Sequence, residues 1–366
     1  MAIFEFKNIK IAGIASAVPT KVVKTDDYRD VFGKESIEKF KRLSGVEELR
    51  HTSKYQTASD LGYVAARKII DSKQIDVKEI GAVVYGGHSH DYIRPATACV
   101  LQHRLGLPKD CIAFDVGLGC SSFIYGVQIV ASIMNNSNIS KAILIVGETN
   151  SKVVNPRDRS TTMLLGDAAS AILLEKTEED TSIKSLLYSN GSYYQAIMIP
   201  AGGFRNLEAT REEFACADDN YRSLYNINMN GVAVFTFAIT EVVKSVKEFL
   251  SITNTSVTDY DCFAFHQANR YISEQIVKRV KIPQEKMLIN IGKYGNTSGS
   301  AIPLVLSDYY GEDETGAKDV LMCGFGVGLS WGVCSARIDM KDVYGVVETD
   351  DVYMEGFIEN PSELDI

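Results

Sequence analysis

Short runs of branched apolar residues alternate with longer amphipathic stretches along most of the chain. The runs at 80–87, 111–117 and 141–148 have the length and composition of strands that are buried on both faces. The stretches at 57–72 and 121–136, which lie before and between them, carry apolar residues at the spacing of a helix. Strands that alternate with helices in this way predict βαβ units and a largely parallel sheet.

The second half of the chain repeats this rhythm, with strand-like runs at 261–267, 286–292 and 318–326. The segments FDVGLGCSSFIYGVQIV and INIGKYGNTSGSAIPLV align with one residue of slack. In both, a strand and glycines lead into a helix that starts with small residues, which puts Cys120 and Asn296 at equivalent turns. We therefore predict an internal duplication whose equivalent turns meet at one site near the carboxyl ends of the strands.

Changes in composition mark the predicted boundaries. The polar and charged stretch at 175–183 separates an N-terminal half, residues 1–178, from a C-terminal half, residues 179–338. Residues 339–366 lose the apolar rhythm and form an acidic tail, expected to be a docking strand or partly disordered. Residues 200–228, rich in Gly, Asn, Arg and Asp, are expected to run over the surface as a lid or pocket wall.

The composition predicts a soluble globular protein with an acidic surface. A chain of 366 residues suggests two core units, and 45% apolar and 23% charged residues are ordinary values. The net charge of −9 argues against a nucleic-acid partner and an anionic membrane surface, because both need a basic face. The sequence also has no signal-peptide pattern, and no run reaches the roughly 20 apolar residues of a membrane span.

The cysteines and histidines narrow the chemistry further. Seven cysteines scattered without a CxxC pair fit reduced thiols and a cytoplasmic location. The five histidines show no metal-ligand spacing beyond a weak HSH at His88 and His90, so no metal site is predicted.

Cys120 has the sequence context of a nucleophile. It lies between a predicted strand and a predicted helix, where unpaired N–H groups and the helix dipole are expected to lower the pKa of the thiol. His266 and Asn296 follow strand-like runs in the same manner, in FHQANR and KYGNTSGSA. Each has an ordinary structural interpretation, since a histidine is often a core residue and an asparagine often fills a turn. Their shared position at strand exits makes the set a candidate site.

A thiol, an imidazole and a carboxamide together suggest acyl transfer. The glycine-rich stretch at 323–332 lets backbone approach a ligand closely, and it lacks the GK[ST] ending of a phosphate loop. Its N–H groups near Val327 are expected to join the N–H of Cys120 in holding the oxyanion of a thioester.

The motifs GCSSF, GDAAS, FHQAN, YGNTSGSAIP and GFGVGLSWG, in this order, resemble the ketoacyl-ACP synthase III family of thiolase-fold condensing enzymes. The likeness runs from about residue 8 to residue 338. It implies an α/β thiolase-like fold, in which duplicated βαβαβ halves form a five-layer α-β-α-β-α sandwich. It also implies a homodimer that works with acyl carrier protein and needs no cofactor or metal.

The resemblance assigns a role to each candidate residue. Cys120 would accept an acyl primer from acyl-CoA or acyl-ACP as a thioester. His266 and Asn296 would hydrogen-bond the thioester carbonyl of malonyl-ACP and stabilise the enolate that forms as carbon dioxide leaves. The backbone amides of Cys120 and Val327 would hold the tetrahedral oxyanion. The product is 3-oxoacyl-ACP, made for fatty-acid or specialised acyl biosynthesis.

The contacts expected for the substrate's pantetheine arm are retained only in part. The residues carried over for this arm are Arg159, Gly231, Asn269 and Gly326. Lys39 and Leu43 stand where better-known members clamp the adenine of CoA between a tryptophan and an arginine. The sequence therefore leaves open the acyl primer, its chain length and its CoA or carrier-protein donor.

Three other interpretations remain at this stage. A related acyl transfer could deliver the acyl group to an alcohol or an amine instead of malonyl-ACP. A papain-like cysteine hydrolase also has Cys, His and Asn in this order, with the asparagine orienting the histidine. A non-catalytic partner subunit would be expected to lose its nucleophile, which this chain keeps.

Overall fold

The structure, a computed structural model, describes residues 2–311 and 316–364. Its strands are β1 (Ala2–Lys7), β2 (Ile9–Pro19), β3 (Val22–Lys24), β4 (Glu48–Arg50), β5 (Ile80–Gly86), β6 (Ile112–Val116), β7 (Lys141–Glu148), β8 (Ala168–Lys176), β9 (Ser182–Ser189), β10 (Ile197–Met198), β11 (Phe214–Ala215), β12 (Tyr221–Arg222), β13 (Asn228–Met229), β14 (Cys262–Phe265), β15 (Ala317–Gly326), β16 (Ser330–Asp339) and β17 (Val347–Thr349).

Its α-helices are α1 (Arg29–Phe32), α2 (Lys34–Ser44), α3 (Ala58–Lys73), α4 (Thr97–Arg104), α5 (Ser122–Asn135), α6 (Gly231–Phe237), α7 (Val243–Thr253), α8 (Arg270–Val280), α9 (Ile291–Tyr294) and α10 (Ala301–Tyr310). A π-helical turn, Ala238–Val242, joins α6 to α7, and a 3₁₀ turn, Ser298–Ser300, leads into α10. Within the described ranges, no helix combines the length and the apolar character that crossing a membrane requires.

Two mixed sheets repeat one pattern of pairing. The first has the order β17-β2-β8-β7-β5-β6 and the second the order β1-β9-β16-β15-β14. In the first, β2 and β8 are antiparallel, β8 and β7 are antiparallel, and β7 and β5 are parallel. The series β9, β16, β15 and β14 has the same succession of directions. This repetition is the duplication that the sequence predicted.

The prediction of a largely parallel sheet holds for three of the five strand pairs of the first sheet and is wrong for the second sheet, where one pair of four is parallel. Parallel pairing joins β5 to β6 and β7, β14 to β15, and the short β17 to β2, whereas the remaining pairs in the two sheets are antiparallel. The reason is connectivity: β15 turns directly into β16, and a hairpin of this kind needs no crossover helix.

The strand predicted at 286–292 does not form. Its single ladder contact is an isolated parallel bridge between Phe263 and Met287, and α9 begins at Ile291. This segment would have been the counterpart of β6 beside β14, so the second half lacks one strand of the repeated pattern. Asn290 and Gly292 lie in the segment, and both residue types are depleted in strands.

Five layers result from the way the helices cover the sheets. α3 and α4 pack on the outer face of the first sheet, and α7 and α8 on the outer face of the second. α5 and α10 fill the space between the sheets, where a continuous apolar core includes Phe123, Val127 and Val305. The α-β-α-β-α sandwich predicted from the family resemblance is confirmed.

Each sheet contains one strand from a distant part of the chain, β1 in the second sheet and β17 in the first. The predicted division at residue 178 falls between β8 and β9. β1 pairs with β9 in the second sheet, and β17 from the acidic tail pairs with β2 in the first. The tail therefore supplies a docked strand, one of the two forms expected for it.

Candidate functional site

Cys120 lies at the N-terminal end of α5, at the turn that follows β6. The N–H of Ser122 donates to the carbonyl of Gly119 at 2.8 Å, which closes this turn at the start of the helix. The cysteine is buried, and a side chain at Gly326 would place its Cβ only 2.8 Å from the Cys120 Sγ atom. Glycine at 326 thus lets the end of β15 approach the sulfur.

His266 continues the line of β14 and presents a neutral imidazole. The backbone N–H of His266 donates to the carbonyl of Cys323 at 2.8 Å. Its ring packs edge-on against the ring of Phe325, with 5.2 Å between the centroids. Burial lowers the pKa of His266 to about 4. The Nδ1 atom lies 3.2 Å from the carbonyl oxygen of Ser298. A carbonyl can only accept, so Nδ1 carries the proton and Nε2 is left as an acceptor.

Asn296 is held at both its backbone and its side chain. Its N–H donates to the carbonyl of Leu164 at 2.8 Å, and its own carbonyl accepts from the N–H of Gly166 at 3.1 Å. Its Oδ1 accepts from the N–H of Ser298 at 3.0 Å. Since the oxygen is engaged in this way, the carboxamide NH₂ is the end that remains to donate to a ligand.

Ser298 joins the three candidate residues and was missed in the sequence. Its N–H binds Asn296, its carbonyl binds His266, and its Oγ lies 3.5 Å from the Cys120 Sγ atom. It also has a φ of 54°, in the left-handed region that non-glycine residues rarely adopt. The available signal was its position two residues after Asn296 in the motif YGNTSGSAIP.

The predicted lowering of the Cys120 pKa is wrong. Burial raises the pKa of the thiol above its ordinary value, and the nearby carboxylate of Glu148 acts in the same direction. Hydrogen bonds from Ser298 and from the backbone N–H groups of Val327 and Cys120 itself lower the pKa but do not outweigh burial. These two N–H groups are the pair predicted for the oxyanion hole, and they lie against the sulfur.

A tunnel connects the three side chains to the surface. Cys120, His266 and Asn296 line one narrow cavity of about 60 Å³. A wider cavity of about 570 Å³ opens at the surface, and the two share lining residues, including Gly231 and Asn269. The structure therefore brings the predicted residues together at the inner end of a tunnel.

The four residues predicted for the substrate arm lie along this tunnel. Arg159 lines the outer cavity, Gly326 lines the inner one, and Gly231 and Asn269 line both. Asn269 also caps α8, because its Oδ1 accepts from the N–H of Ile272 at 2.7 Å. Asn269 therefore both caps a helix and lines the tunnel.

A third cavity, of about 440 Å³, also reaches Cys120 and is largely apolar. Its polar lining includes His88 and Glu148, neither of which was assigned to the site from sequence. Glu148 is buried, and its two oxygens accept from the His88 N–H at 2.9 Å and from the Ser89 hydroxyl at 2.6 Å. The available signal was a carboxylate at the carboxyl end of the predicted strand 141–148.

The arrangement differs from that of a papain-like hydrolase. In such an enzyme the asparagine orients the histidine. Here the imidazole of His266 is oriented by a backbone carbonyl, and the Asn296 oxygen is bound by a backbone N–H. Among the described residues, no group of three or more His, Cys, Asp or Glu side chains is arranged to hold a metal ion.

Comparisons with known proteins agree with this geometry. The family model described as 3-oxoacyl-[acyl-carrier-protein (ACP)] synthase III matches residues 114–191, and its C-terminal counterpart matches residues 250–338. The beta-ketoacyl-[acyl-carrier-protein] synthase III of Clostridium perfringens is 33% identical over 334 residues, which cover 91% of this chain and 100% of the relative. The protein of the same name from Rhodopirellula baltica is 34% identical over 351 residues, covering 90% and 99%.

A solved structure extends the similarity to three dimensions. The 3-oxoacyl-(acyl-carrier protein) synthase from Burkholderia xenovorans LB400 superposes with a TM-score of 0.89 at 30% identity. The match covers 95% of this chain and 99% of that one.

Proposed function

The chain belongs to the beta-ketoacyl-[acyl-carrier-protein] synthase III family, and we propose that Cys120, His266 and Asn296 carry out that family's condensation. The reaction joins an acyl primer to malonyl-ACP and gives 3-oxoacyl-ACP and carbon dioxide, in fatty-acid biosynthesis. The observation that carries the assignment of roles is the convergence of three side chains on Ser298 at the inner end of one tunnel.

In the first half-reaction, Cys120 takes the acyl group. A bond forms between its sulfur and the thioester carbonyl carbon, and the bond to the leaving thiol breaks. Nε2 of neutral His266 accepts the thiol proton and returns it to the leaving thiolate. Burial disfavours both the thiolate and the imidazolium, so proton transfer accompanies the attack instead of preceding it. The N–H groups of Cys120 and Val327 stabilise the developing oxyanion.

In the second half-reaction, the malonyl unit loses carbon dioxide and becomes an enolate. The Asn296 NH₂ donates to the enolate oxygen without being acidic enough to quench the carbanion, whereas a carboxylate there would repel the charge. The carbanion attacks the acyl carbon, the bond from that carbon to the Cys120 sulfur breaks, and the thiolate that leaves takes up a proton from water. The role predicted for His266 as a second donor needs a proton on Nε2, so it requires the other tautomer.

The tunnel gives each substrate a route to the sulfur. We propose that Arg159, Gly231, Asn269 and Gly326 contact the pantetheine arm of the incoming thioester. Lys39 and Leu43 line the outer cavity together with Arg159, and no tryptophan lines it among the described residues. Acyl-CoA and acyl-ACP both remain primers in this proposal, and the reaction as balanced above consumes no metal or redox cofactor.

We propose a cytoplasmic homodimer. Within the described residues β6 is an outer strand of the first sheet, hydrogen-bonded to β5 alone, and Ile112 on it is exposed. An open strand edge of this kind is a template for pairing with a second copy. The seven cysteines are free thiols, as expected in a reducing compartment.

The test of the proposed function combines product analysis with mass spectrometry of the protein. The purified chain is incubated with malonyl-ACP and a series of acyl-CoA and acyl-ACP donors. We expect an acyl mass on the peptide that contains Cys120 and accumulation of 3-oxoacyl-ACP, both absent for Cys120→Ala. An acyl group that leaves Cys120 only for water, an alcohol or an amine, with no 3-oxoacyl product, contradicts the condensation.

A further inference from the structure

The acidic tail is a feature that the family match does not account for. The C-terminal family model ends at residue 338, before the tail begins. The structure nevertheless packs the tail beyond β17 against the first half. We define the tail segment as residues 350–357.

Backbone contacts attach the tail segment to the start of α3. Gln56 Nε2 donates to the carbonyls of Thr349 and Asp351, at 3.0 and 3.1 Å. The N–H of Tyr353 donates to Asp60 Oδ1 at 3.0 Å, and Asp60 is buried. In these bonds, backbone groups of the tail pair with the side chains of Gln56 and Asp60. They therefore hold the tail backbone in one position against the start of α3.

Arg104, at the end of α4, is enclosed by the same segment. Its guanidinium lies between the rings of Tyr63 and Tyr353, 4.5 Å from each centroid. Its Nη1 donates to Asp60 at 2.8 Å, and its Nη2 lies 3.3 Å from Asp351. A buried arginine stacked on two rings and paired with two carboxylates fixes the end of α4 to the tail.

The tail segment also reaches the loop that joins β5 to α4, residues 87–96. The hydroxyl of Tyr92 donates to the carbonyl of Gly356, and a side chain at 356 would meet that hydroxyl at 2.9 Å. Next to this contact the loop is exposed, since Ile93 is 75% accessible. The tail is thus attached to the middle of the loop and to the helix that follows it.

The other end of this loop is a wall of the cavity beside Cys120. His88 lines that cavity, and its N–H and the neighbouring Ser89 hydroxyl are bound by Glu148. A shift of Tyr92 in the middle of the loop would therefore also move His88, which lies four residues earlier in the chain. Displacements on the order of 1 Å near reacting groups change rates substantially.

We propose that the tail segment positions the 87–96 loop, and thereby sets which acyl primers fit the cavity beside Cys120. The inference rests on the proposed function, because it assigns this cavity to the primer. Tyr353 acts by packing on Arg104, and Gly356 acts by accepting a hydrogen bond from the hydroxyl of Tyr92. They are positioning residues, since none of them lines the cavity itself.

Two variants and one control test the proposal. The first ends the chain at Thr349, which keeps β17 and removes the tail segment. The second, Tyr92→Phe, removes the hydroxyl bound by Gly356 and leaves the ring. Tyr309→Phe is the matched control, because its hydroxyl donates to the carbonyl of Ile289 at 3.1 Å on a different part of the surface.

For each protein, kcat and KM are measured for acyl donors of two to twelve carbons and for malonyl-ACP. We expect the truncated chain to change the ratio of kcat/KM between its best primer and the neighbouring lengths about fivefold, mainly through KM. Tyr92→Phe should change it about twofold in the same direction. The KM for malonyl-ACP and the control should stay constant. An equal loss for all primers, with the preference unchanged, overturns the proposal.

Backbone hydrogen exchange separates this proposal from the proposed function. We expect the amides of residues 88–93 to exchange about tenfold faster in the truncated chain, and faster also in Tyr92→Phe, while α5 is unchanged. Unchanged exchange at 88–93 in both variants overturns the positioning role even if the enzyme is active. If wild-type protein forms no acyl-Cys120 with any donor, the proposed function fails, and the primer-selecting role fails with it.

Discussion

The turns at Cys120 and Asn296 have equivalent places in the two halves but are built differently. At Cys120 the chain enters α5 within two residues. At Asn296 it passes through the 3₁₀ turn Ser298–Ser300 before α10 begins. The extra turn, with its left-handed Ser298, directs a backbone N–H, a carbonyl and a hydroxyl toward three different side chains. One turn thus supplies the nucleophile, and the other holds the groups that act on its substrate.

Left-handed backbone at a serine costs about 1 kcal/mol or more. Three hydrogen bonds made by one residue offset a cost of this size. The comparison teaches that duplication gives two equivalent sites in the scaffold, while local backbone geometry decides which chemistry each site can carry.

Removing the nucleophile should abolish condensation. Cys120→Ala leaves no atom that can carry the acyl group, so we expect condensation to fall about 10⁵-fold or more. Steady-state formation of 3-oxoacyl-ACP measures the loss. Cys99→Ala, which removes an exposed free thiol, is the matched control and should leave activity intact. Condensation by Cys120→Ala at the wild-type rate would refute the assignment of the nucleophile.

Removing the carboxamide should separate the two half-reactions. In Asn296→Ala the donor to the enolate is lost, and we expect condensation to fall roughly 10²–10³-fold. Acylation of Cys120, followed by rapid-quench mass spectrometry, should change only a few-fold, because Asn296 takes no part in that step. Asn136→Ala, which removes an exposed carboxamide from the end of α5, is the control. Equal loss in both half-reactions would contradict the division of roles.

Filling the gap beside the sulfur should impair the first half-reaction. Gly326→Ala would place a Cβ 2.7 Å from the Cys120 Cβ and 2.8 Å from its Sγ atom. The thiol must shift, and we expect acylation to slow about 10- to 100-fold. Gly191→Ala, where a Cβ meets nothing within 4 Å, is the matched control. Wild-type acylation by Gly326→Ala would show that the sulfur is not confined there.

Removing the Ser298 hydroxyl should have the smallest effect. Its hydrogen bond lowers the pKa of Cys120, which burial raises. Without it the pKa is higher still, so less reactive thiolate is present at any pH below that value. We expect Ser298→Ala to shift the pH profile of Cys120 alkylation by iodoacetamide to higher pH, with rates about threefold lower near neutral pH. Alkylation of Cys99 serves as the internal control, and a shift to lower pH would contradict the contact.

The sequence was informative wherever local pattern and chain order suffice. The glycine turns and the repeated order of motifs predicted that Cys120, His266 and Asn296 follow buried strands or their equivalents, and the structure places the three on one cavity. The five-layer fold is confirmed as well. These features depend on periodicity and on residues next to one another, which a sequence displays directly.

Features that depend on depth and on partners far along the chain could not be predicted. The direction of the Cys120 pKa shift follows from burial between two sheets, which the local helix position does not reveal. The apolar residues of 286–292 predicted a strand, yet the ladder beside β14 stops at the bridge to Met287. The tautomer of His266 depends on the Ser298 carbonyl, 32 positions later in the sequence.

The exchange of β1 and β17 between the sheets has a consequence for biosynthesis. The first half of the chain holds nearly all of its own sheet, but its outermost strand, residues 347–349, is synthesised after β16, which completes the second sheet. In the opposite direction, residues 2–7 must wait for β9 before they find a neighbour. The first sheet, although most of it is synthesised first, is therefore completed last. A nascent chain that stalls near residue 178 lacks β17 of the first sheet, and its β1 has no partner strand.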